Sequence, residues 1–446
     1  MEKRGSFASR FGVIAAMAGS AVGLGNIWKF PYMVGDNGGS AFIITYLLIS
    51  VLITAPVLIA EMSLGRMGGQ NVLGTFRTLA PKQKGWLGVG WLGLITAFVI
   101  LSFYSVIAGW SLAFIKDSVI GSFAGKDVAQ ITADFNGFIA SGWQPVAWAI
   151  SFLVLTCLIA GSGLQKGIER SSKLLMPLLA VLLVVLVVRS FFLSGFGESV
   201  NFLVKPDFSK ITPAVMVAAL GQSFFSLSVG MGTMLTYGSY VSKKESIVSV
   251  VTNVLIADIC IALLAGFAIF PAVFTFNISP TSGPDLVFLT LPSLFAQISG
   301  GQIMSILFFT LLFFAAITSA FSLLEVVVAY VTEELKLKRR AAVLVSFVGL
   351  AILATLCAMS QMPESALRLG SRNLFDTFDV VSSNVMLPLG GLLIVLFWAW
   401  KLPKKRVEEE ITNNGTCSTK IFGVLYFLLR YIVPVALVIM FISLNS

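Results

Sequence analysis

The stretch Gly19–Pro31, GSAVGLGNIWKFP, constrains this chain more than any other. It lies inside a predicted first membrane-spanning segment, yet it is poorly built for a continuous helix. Gly19, Gly23 and Gly25 fall within seven residues, and each costs roughly 1 kcal/mol against Ala in a helix interior. Pro31 closes the run, and Ser20 and Asn26 are of the types that cap helix ends. Hydrocarbon supplies no partner for backbone N–H and C=O groups. Irregular backbone at that depth is therefore tolerated only where it is buried in protein or lines a polar cavity. The sequence predicts a purposeful break whose freed backbone groups bind something.

The membrane assignment rests on composition. Of 446 residues, 57% are hydrophobic and 11% charged, with a mean hydropathy of +0.94. Apolar runs of about 20 residues recur along the whole length, which predicts an all-α polytopic membrane protein. The strict alternation of an outer-membrane barrel is missing. The basic start, MEKRGSFASRFG, leads into an apolar run with no small-residue cleavage site, so that run is taken as the first span rather than a removable signal.

The net charge of +9 raises the question of a nucleic-acid partner, and its placement argues against one. Lys and Arg cluster at Lys3–Arg10, Arg66–Lys84, Lys166–Lys173, Lys243–Lys244, Lys336–Arg340 and Lys401–Arg406. These are alternate loops, as expected of cytoplasmic loops in a bacterial inner membrane. Cys157, Cys260, Cys357 and Cys417 have no metal-ligand spacing, and the chain contains no His. Neither a metal centre, a disulfide framework nor His-based acid–base chemistry is expected.

Eleven spans are predicted, at roughly 10–33, 40–64, 86–116, 145–163, 170–194, 213–239, 247–275, 302–333, 341–359, 378–400 and 421–443. An inside N-terminus then leaves the C-terminus outside. The outer loop Ser279–Gly301 is apolar enough to fold down as a short helical plug. An internal echo organises the spans: AVGLGN at Ala21–Asn26 in span 1 and SVGMGT at Ser228–Thr233 in span 6. Each interrupts the first helix of a five-helix block, giving inverted repeats over 1–200 and 201–400, a cytoplasmic loop at 401–420 and a last span in 421–446. Paired Gly-interrupted segments are a pointer to a transporter's midplane site. Glycines that serve only close helix packing are the alternative.

Ionisable groups at membrane depth are costly and need an account. Asp258 sits mid-span in NVLIADICIALL with no basic neighbour in its own helix. With Asn26, Ser226 and freed carbonyls it makes a plausible oxygen cage for a hard cation; a protonated carboxyl bonded between helices is the alternative. Glu61 and Glu325 are placed to accept from N–H groups at the breaks. Thr318 and Ser319 offer adjacent hydroxyls, although such hydroxyls commonly bond back to their own helix. Tyr104, Phe225, Met231 and Leu323 are candidates for an apolar pocket wall. Gly167 and Pro177 bracket nine residues where span 5 has the composition to unwind at its cytoplasmic end.

These residues carry a resemblance. Arg4, GSAVGLGNIWKFPY (19–32), NGGSAF (37–42), GQSFFSLSVGMG (221–232), TYGSY (236–240), FFAAITSAFSLLE (313–325) and FDTFD (375–379) resemble the neurotransmitter:sodium symporter family over essentially the whole chain. The likeness is nearest to its bacterial eleven-helix amino-acid transporters. It implies two sodium ions: one at Ala21, Asn26, Ser226 and Asp258, completed by the substrate carboxylate, the other at Gly19, Val22, Ala315, Thr318 and Ser319. It further implies substrate contacts at Ala21, Gly25, Tyr104, Phe225, Ser226, Ser228, Met231, Ser319 and Leu323. An outer gate would pair Lys29 with Asp379 and an inner gate Arg4 with Glu333, with Phe7 where many members have Trp.

Two departures from relatives bear on function. Gly23 stands where amine carriers hold an Asp, which favours an amino acid. Asp258 supplies a fixed negative charge where chloride-dependent members are neutral, so no chloride requirement is expected. Sodium-driven uptake of hydrophobic or aromatic L-amino acids by alternating access is the expectation, with an amino-acid sensor of the same fold as its rival. A channel fits less well, since paired gates on both sides of one site suit occlusion. Nothing in the sequence suggests an enzyme.

Overall fold

The computed structural model describes residues 5–276, 287–416 and 419–443. Helices account for almost all of it. In chain order they are α1 Arg10–Ala21, α2 Gly25–Asp36, α3 Ser40–Gly68, α4 Val72–Leu79, α5 Leu87–Val119, α6 Val128–Ala140, α7 Trp143–Gly161, α8 Leu164–Ser190 and α9 Phe196–Val204. There follow α10 Pro213–Ser226, α11 Thr233–Gly238, α12 Ile247–Thr275, α13 Thr290–Phe295, α14 Gly301–Glu334 and α15 Arg339–Ser360. The last three are α16 Leu374–Lys401, α17 Lys404–Ile411 and α18 Ile421–Ser443. A two-residue antiparallel pair, β1 Arg368–Leu369 with β2 Arg372–Asn373, precedes α16.

Among the described residues nine helices are long and apolar enough to cross a membrane, and the pair α1 and α2, bent by 45°, makes a tenth. The sixth span is interrupted where its glycines predict. It is two pieces, α10 of 14 residues and α11 of 6 residues, separated by Leu227–Gly232, so length alone does not qualify it. The other spans fall within a few residues of expectation, except that span 5 starts earlier, at Leu164. Large apolar side chains such as Leu158, Leu174, Phe192 and Leu344 are exposed on the outer helices, a surface that suits hydrocarbon and not water.

Helices α5, α7, α14 and α15 pack along one another as a scaffold, and α1, α3, α11 and α12 form a second group against them. The basic loops gather on one face. There Arg66, almost fully buried, pairs with Glu410 and donates to the Glu245 and Glu410 carbonyls and to Asn413. On the same face Arg77 pairs with Glu334 at 2.9 Å, and Arg10 with Glu245 at 3.7 Å.

One expectation needs correction. Glu325 does not serve a helix break: its carboxylate is held by Arg339 at 2.5 Å and by the Tyr240 hydroxyl at 2.8 Å. The Gly167–Pro177 segment is wound. It begins in one wide turn, Leu164–Glu169, and continues as helix through Pro177, because Glu169 ties it to Lys173 at 2.6 Å and to the Ala8 N–H at 2.8 Å. The outer loop holds a buried helix, α13, packed on α14, but 279–286 of the expected plug lie outside the described residues. Helices α4, α6 and α9, lying in loops, went unread because each is short.

Candidate ligand and cation site

The break after α1 follows from its glycines and from Asn26. Val22 leaves the helix at ψ 95°, and the Asn26 side chain accepts from the Gly23 N–H at 3.2 Å, starting the second half. Gly25–Lys29 forms one wide turn, a distortion frequent at functional sites. The second break is tighter. Ser228, at φ 54°, sits in the left-handed region that a non-glycine residue avoids. Gly230, at φ 85°, lies so close to α16 that a Cβ there would be 2.3 Å from the Leu387 carbonyl. Glu61 of α3 accepts from the Gly230 N–H at 3.0 Å, as its position in the sequence suggests.

The two breaks are tied to each other. The Ser228 hydroxyl donates to the Ser20 carbonyl at 2.9 Å, and the Gln222 amide to the Gly25 carbonyl at 2.7 Å. Beside them lies Asp258, fully buried. Its carboxylate accepts from the Asn26 amide at 2.8 Å, the Ser226 hydroxyl at 2.6 Å and the Tyr46 hydroxyl at 2.7 Å. All three donors are neutral. The expected ligands Asn26, Ser226 and Asp258 are thus gathered in one cluster, with Ala21 nearby at the end of α1. Tyr46 went unread, since one Tyr in an apolar run gives no local signal. Gln222 likewise went unread; its Oε1 is buried without a hydrogen-bond partner.

On the α14 side, the Ser319 hydroxyl donates to the Gly19 and Ser20 carbonyls at 3.2 and 3.1 Å. Thr318 bonds back to Phe314 and Ala315 at 2.9 and 3.0 Å. Gly19 faces Thr318 so closely that a Cβ would come within 3.2 Å of it. Val22 is buried at the end of α1. The five residues expected to hold a second cation therefore lie along the α1–α14 contact.

Between the breaks is a small cavity of about 20 Å³. Eight of the nine expected substrate residues line it, Ser226 standing behind. Ser20, Gly23 and Ile100 line it too. The Tyr104 hydroxyl accepts from the Leu24 N–H at 3.2 Å. A Cβ on Gly23 would lie 2.2 Å from the Ser319 hydroxyl, so an acidic side chain has no room there in this closed form. The cavity holds about one water, and a ligand side chain requires the walls to part.

Above the cavity Lys29 bonds Asp379 at 2.9 Å and Ser383 at 3.0 Å, with its ammonium 4.5 Å from the Phe225 ring centroid. On the basic face Glu333 accepts from the Asn71 backbone and side chain at 2.7 and 3.0 Å; Arg4, its expected partner, lies outside the described residues. Phe7 packs edge-on against Tyr237 and Tyr240, with centroids 5.7 and 6.2 Å away.

Comparison with known proteins places this geometry. The profile of the Sodium:neurotransmitter symporter family matches residues 4–134 and 122–445. The chain is 40% identical over 443 residues to YhdH, a sodium-dependent transporter of Bacillus subtilis (strain 168), covering 99% of this chain and 98% of that protein. It is 28% identical over 410 residues to the human sodium- and chloride-dependent neutral and basic amino acid transporter B(0+), covering 74% of this chain and 63% of that one. Among solved structures, that of MhsT in complex with L-phenylalanine superposes with a TM-score of 0.92 at 41% identity, covering 99% of each chain.

Proposed function

Because this chain belongs to the sodium:neurotransmitter symporter family, a family of transporters, we propose that it imports L-amino acids, hydrophobic or aromatic ones above all, driven by sodium and without chloride. The observation that carries the proposal is Asp258: a fully buried carboxylate supported only by the neutral groups of Asn26, Ser226 and Tyr46. A buried charge is stable when paired, and sodium supplies the pairing charge.

One sodium ion sits among Ala21, Asn26, Ser226 and Asp258 with the substrate carboxylate. A second sits among Gly19, Val22, Ala315, Thr318 and Ser319, where hydroxyls and carbonyls already converge. The substrate carboxylate meets the N–H groups that open α2, and its ammonium meets carbonyls ending α1 and α10, as the helix dipoles favour. Met231, a flexible thioether in the cavity wall, suits large side chains, and the phenylalanine bound by the similar MhsT supports that choice. Lys29 with Asp379 closes the outer side and Arg4 with Glu333 the inner side. The halves 1–200 and 201–400 act as inverted repeats in a bacterial inner membrane. The basic face and N-terminus lie in the cytoplasm, and the C-terminus outside.

Uptake of labelled phenylalanine, tryptophan and leucine into proteoliposomes tests this. Accumulation under an inward sodium gradient, undiminished when gluconate replaces chloride, is expected. Equal uptake when potassium replaces sodium refutes sodium coupling, and sodium-dependent binding without counterflow of preloaded substrate would mark a sensor.

A further inference from the structure

At the basic face, α7 and α15 part to leave an open groove of about 440 Å³ on the outer surface of the bundle. Its walls are apolar, formed by Leu158, Val343, Leu344 and Phe347, and its rim carries Ser162 and Arg340. The rim is set by the neighbouring arginine. Arg339 donates twice to the Ala160 carbonyl near the end of α7, at 2.9 and 2.7 Å, and pairs with Glu325. Arg339 is therefore fully engaged and fixes the two helix ends relative to each other. Arg340, next in sequence, is exposed and makes no hydrogen bond or ion pair among the described residues.

We propose that this groove binds one anionic phospholipid, its acyl chain along the apolar walls and its phosphate on Arg340 and Ser162. Three observations favour this occupant. The groove faces outward between exposed Leu158 and Leu344, a surface that meets hydrocarbon. Its charged end lies at the level of the basic loops, where anionic headgroups of the proposed cytoplasmic leaflet collect. A guanidinium with unused donors takes a phosphate through paired hydrogen bonds. A second copy of the chain fits less well: a two-fold contact through this face sets like against like, bringing two Arg340 side chains together with no acidic residue lining the groove to separate them.

The test is native mass spectrometry of the full-length protein in detergent, titrated with phosphatidylglycerol or with phosphatidylcholine of the same acyl chains. Wild type is expected to retain one phosphatidylglycerol with a preference of about fivefold over phosphatidylcholine. R340Q is expected to abolish that preference and R340K to keep most of it. Gly161, at the groove edge, has open space around its missing side chain; G161W is expected to obstruct the groove and lower retention of both lipids with Arg340 intact. Inorganic phosphate at millimolar concentration is expected not to displace the lipid. An unchanged preference in R340Q overturns the proposal. So does displacement by phosphate alone, which would mark a free-anion site, or a wild-type dimer that R340Q dissociates.

Discussion

Asp258 and Lys29 are two charges close to the cavity wall, the first through Ser226 beside Phe225 and the second through Phe225 itself, and their surroundings give them separate tasks. Asp258 is enclosed by neutral donors, so D258N removes the one negative side chain available to a cation there while leaving the volume nearly unchanged. Sodium-driven uptake is expected to fall by about tenfold or more, roughly 1.4 kcal/mol at least, with a raised sodium requirement measured in uptake titrations. Lys29, the proposed outer gate, bonds Asp379 and Ser383 and lies over the Phe225 ring. K29Q is expected to release bound substrate about tenfold faster, read by dilution of a labelled complex, while K29R, with its bidentate fork, retains closure. Asp258 was legible because a charge in an apolar run always asks for a partner. Tyr46 and Gln222 were not, since their importance arises only when distant helices meet.

At the scale of the element, the breaks were legible and their detailed shape was not. Glycine clusters announce that a helix fails, but the Gly23 N–H bond to Asn26 and the left-handed Ser228 depend on what packs nearby. The interruption read at Ser228–Thr233 is there, and it leaves span 6 as two short helices. Glu325 looked like a cap for a broken helix and is instead half of an ion pair with Arg339, fourteen residues away on the next helix. Gly230 concentrates the demand for glycine, having both a positive φ and the Leu387 carbonyl against it. G230A is expected to destabilise the protein by about 1–3 kcal/mol and to abolish transport. The control G423A lies in α18, where nothing lies within 4 Å of an added Cβ, and is expected to be neutral or stabilising by up to about 1 kcal/mol. Thermal unfolding of the two variants distinguishes them.

For the whole molecule, the matter is how the two helix groups communicate. The Asp258 cluster joins α2, α3, α10 and α12, whereas Ser319 joins α1 to the scaffold helix α14. Substrate and sodium sharing the first cluster are expected to tighten each other's binding by the same factor. Sodium together with phenylalanine is expected to raise the melting temperature, by an amount corresponding to about 2.7 kcal/mol at a hundredfold excess over the dissociation constant. The change is read with a thiol dye that reaches buried Cys357 on unfolding, and potassium in place of sodium is expected to remove most of it. The cavity of about 20 Å³ has a consequence for the surrounding solution. Each opening must hydrate a cleft that the closed form keeps nearly dry, so part of the work of the cycle is done against the activity of water itself. Solutes too large to enter the cleft favour the closed form, so uptake measured in proteoliposomes under osmotic stress is expected to slow even when the sodium gradient is undiminished.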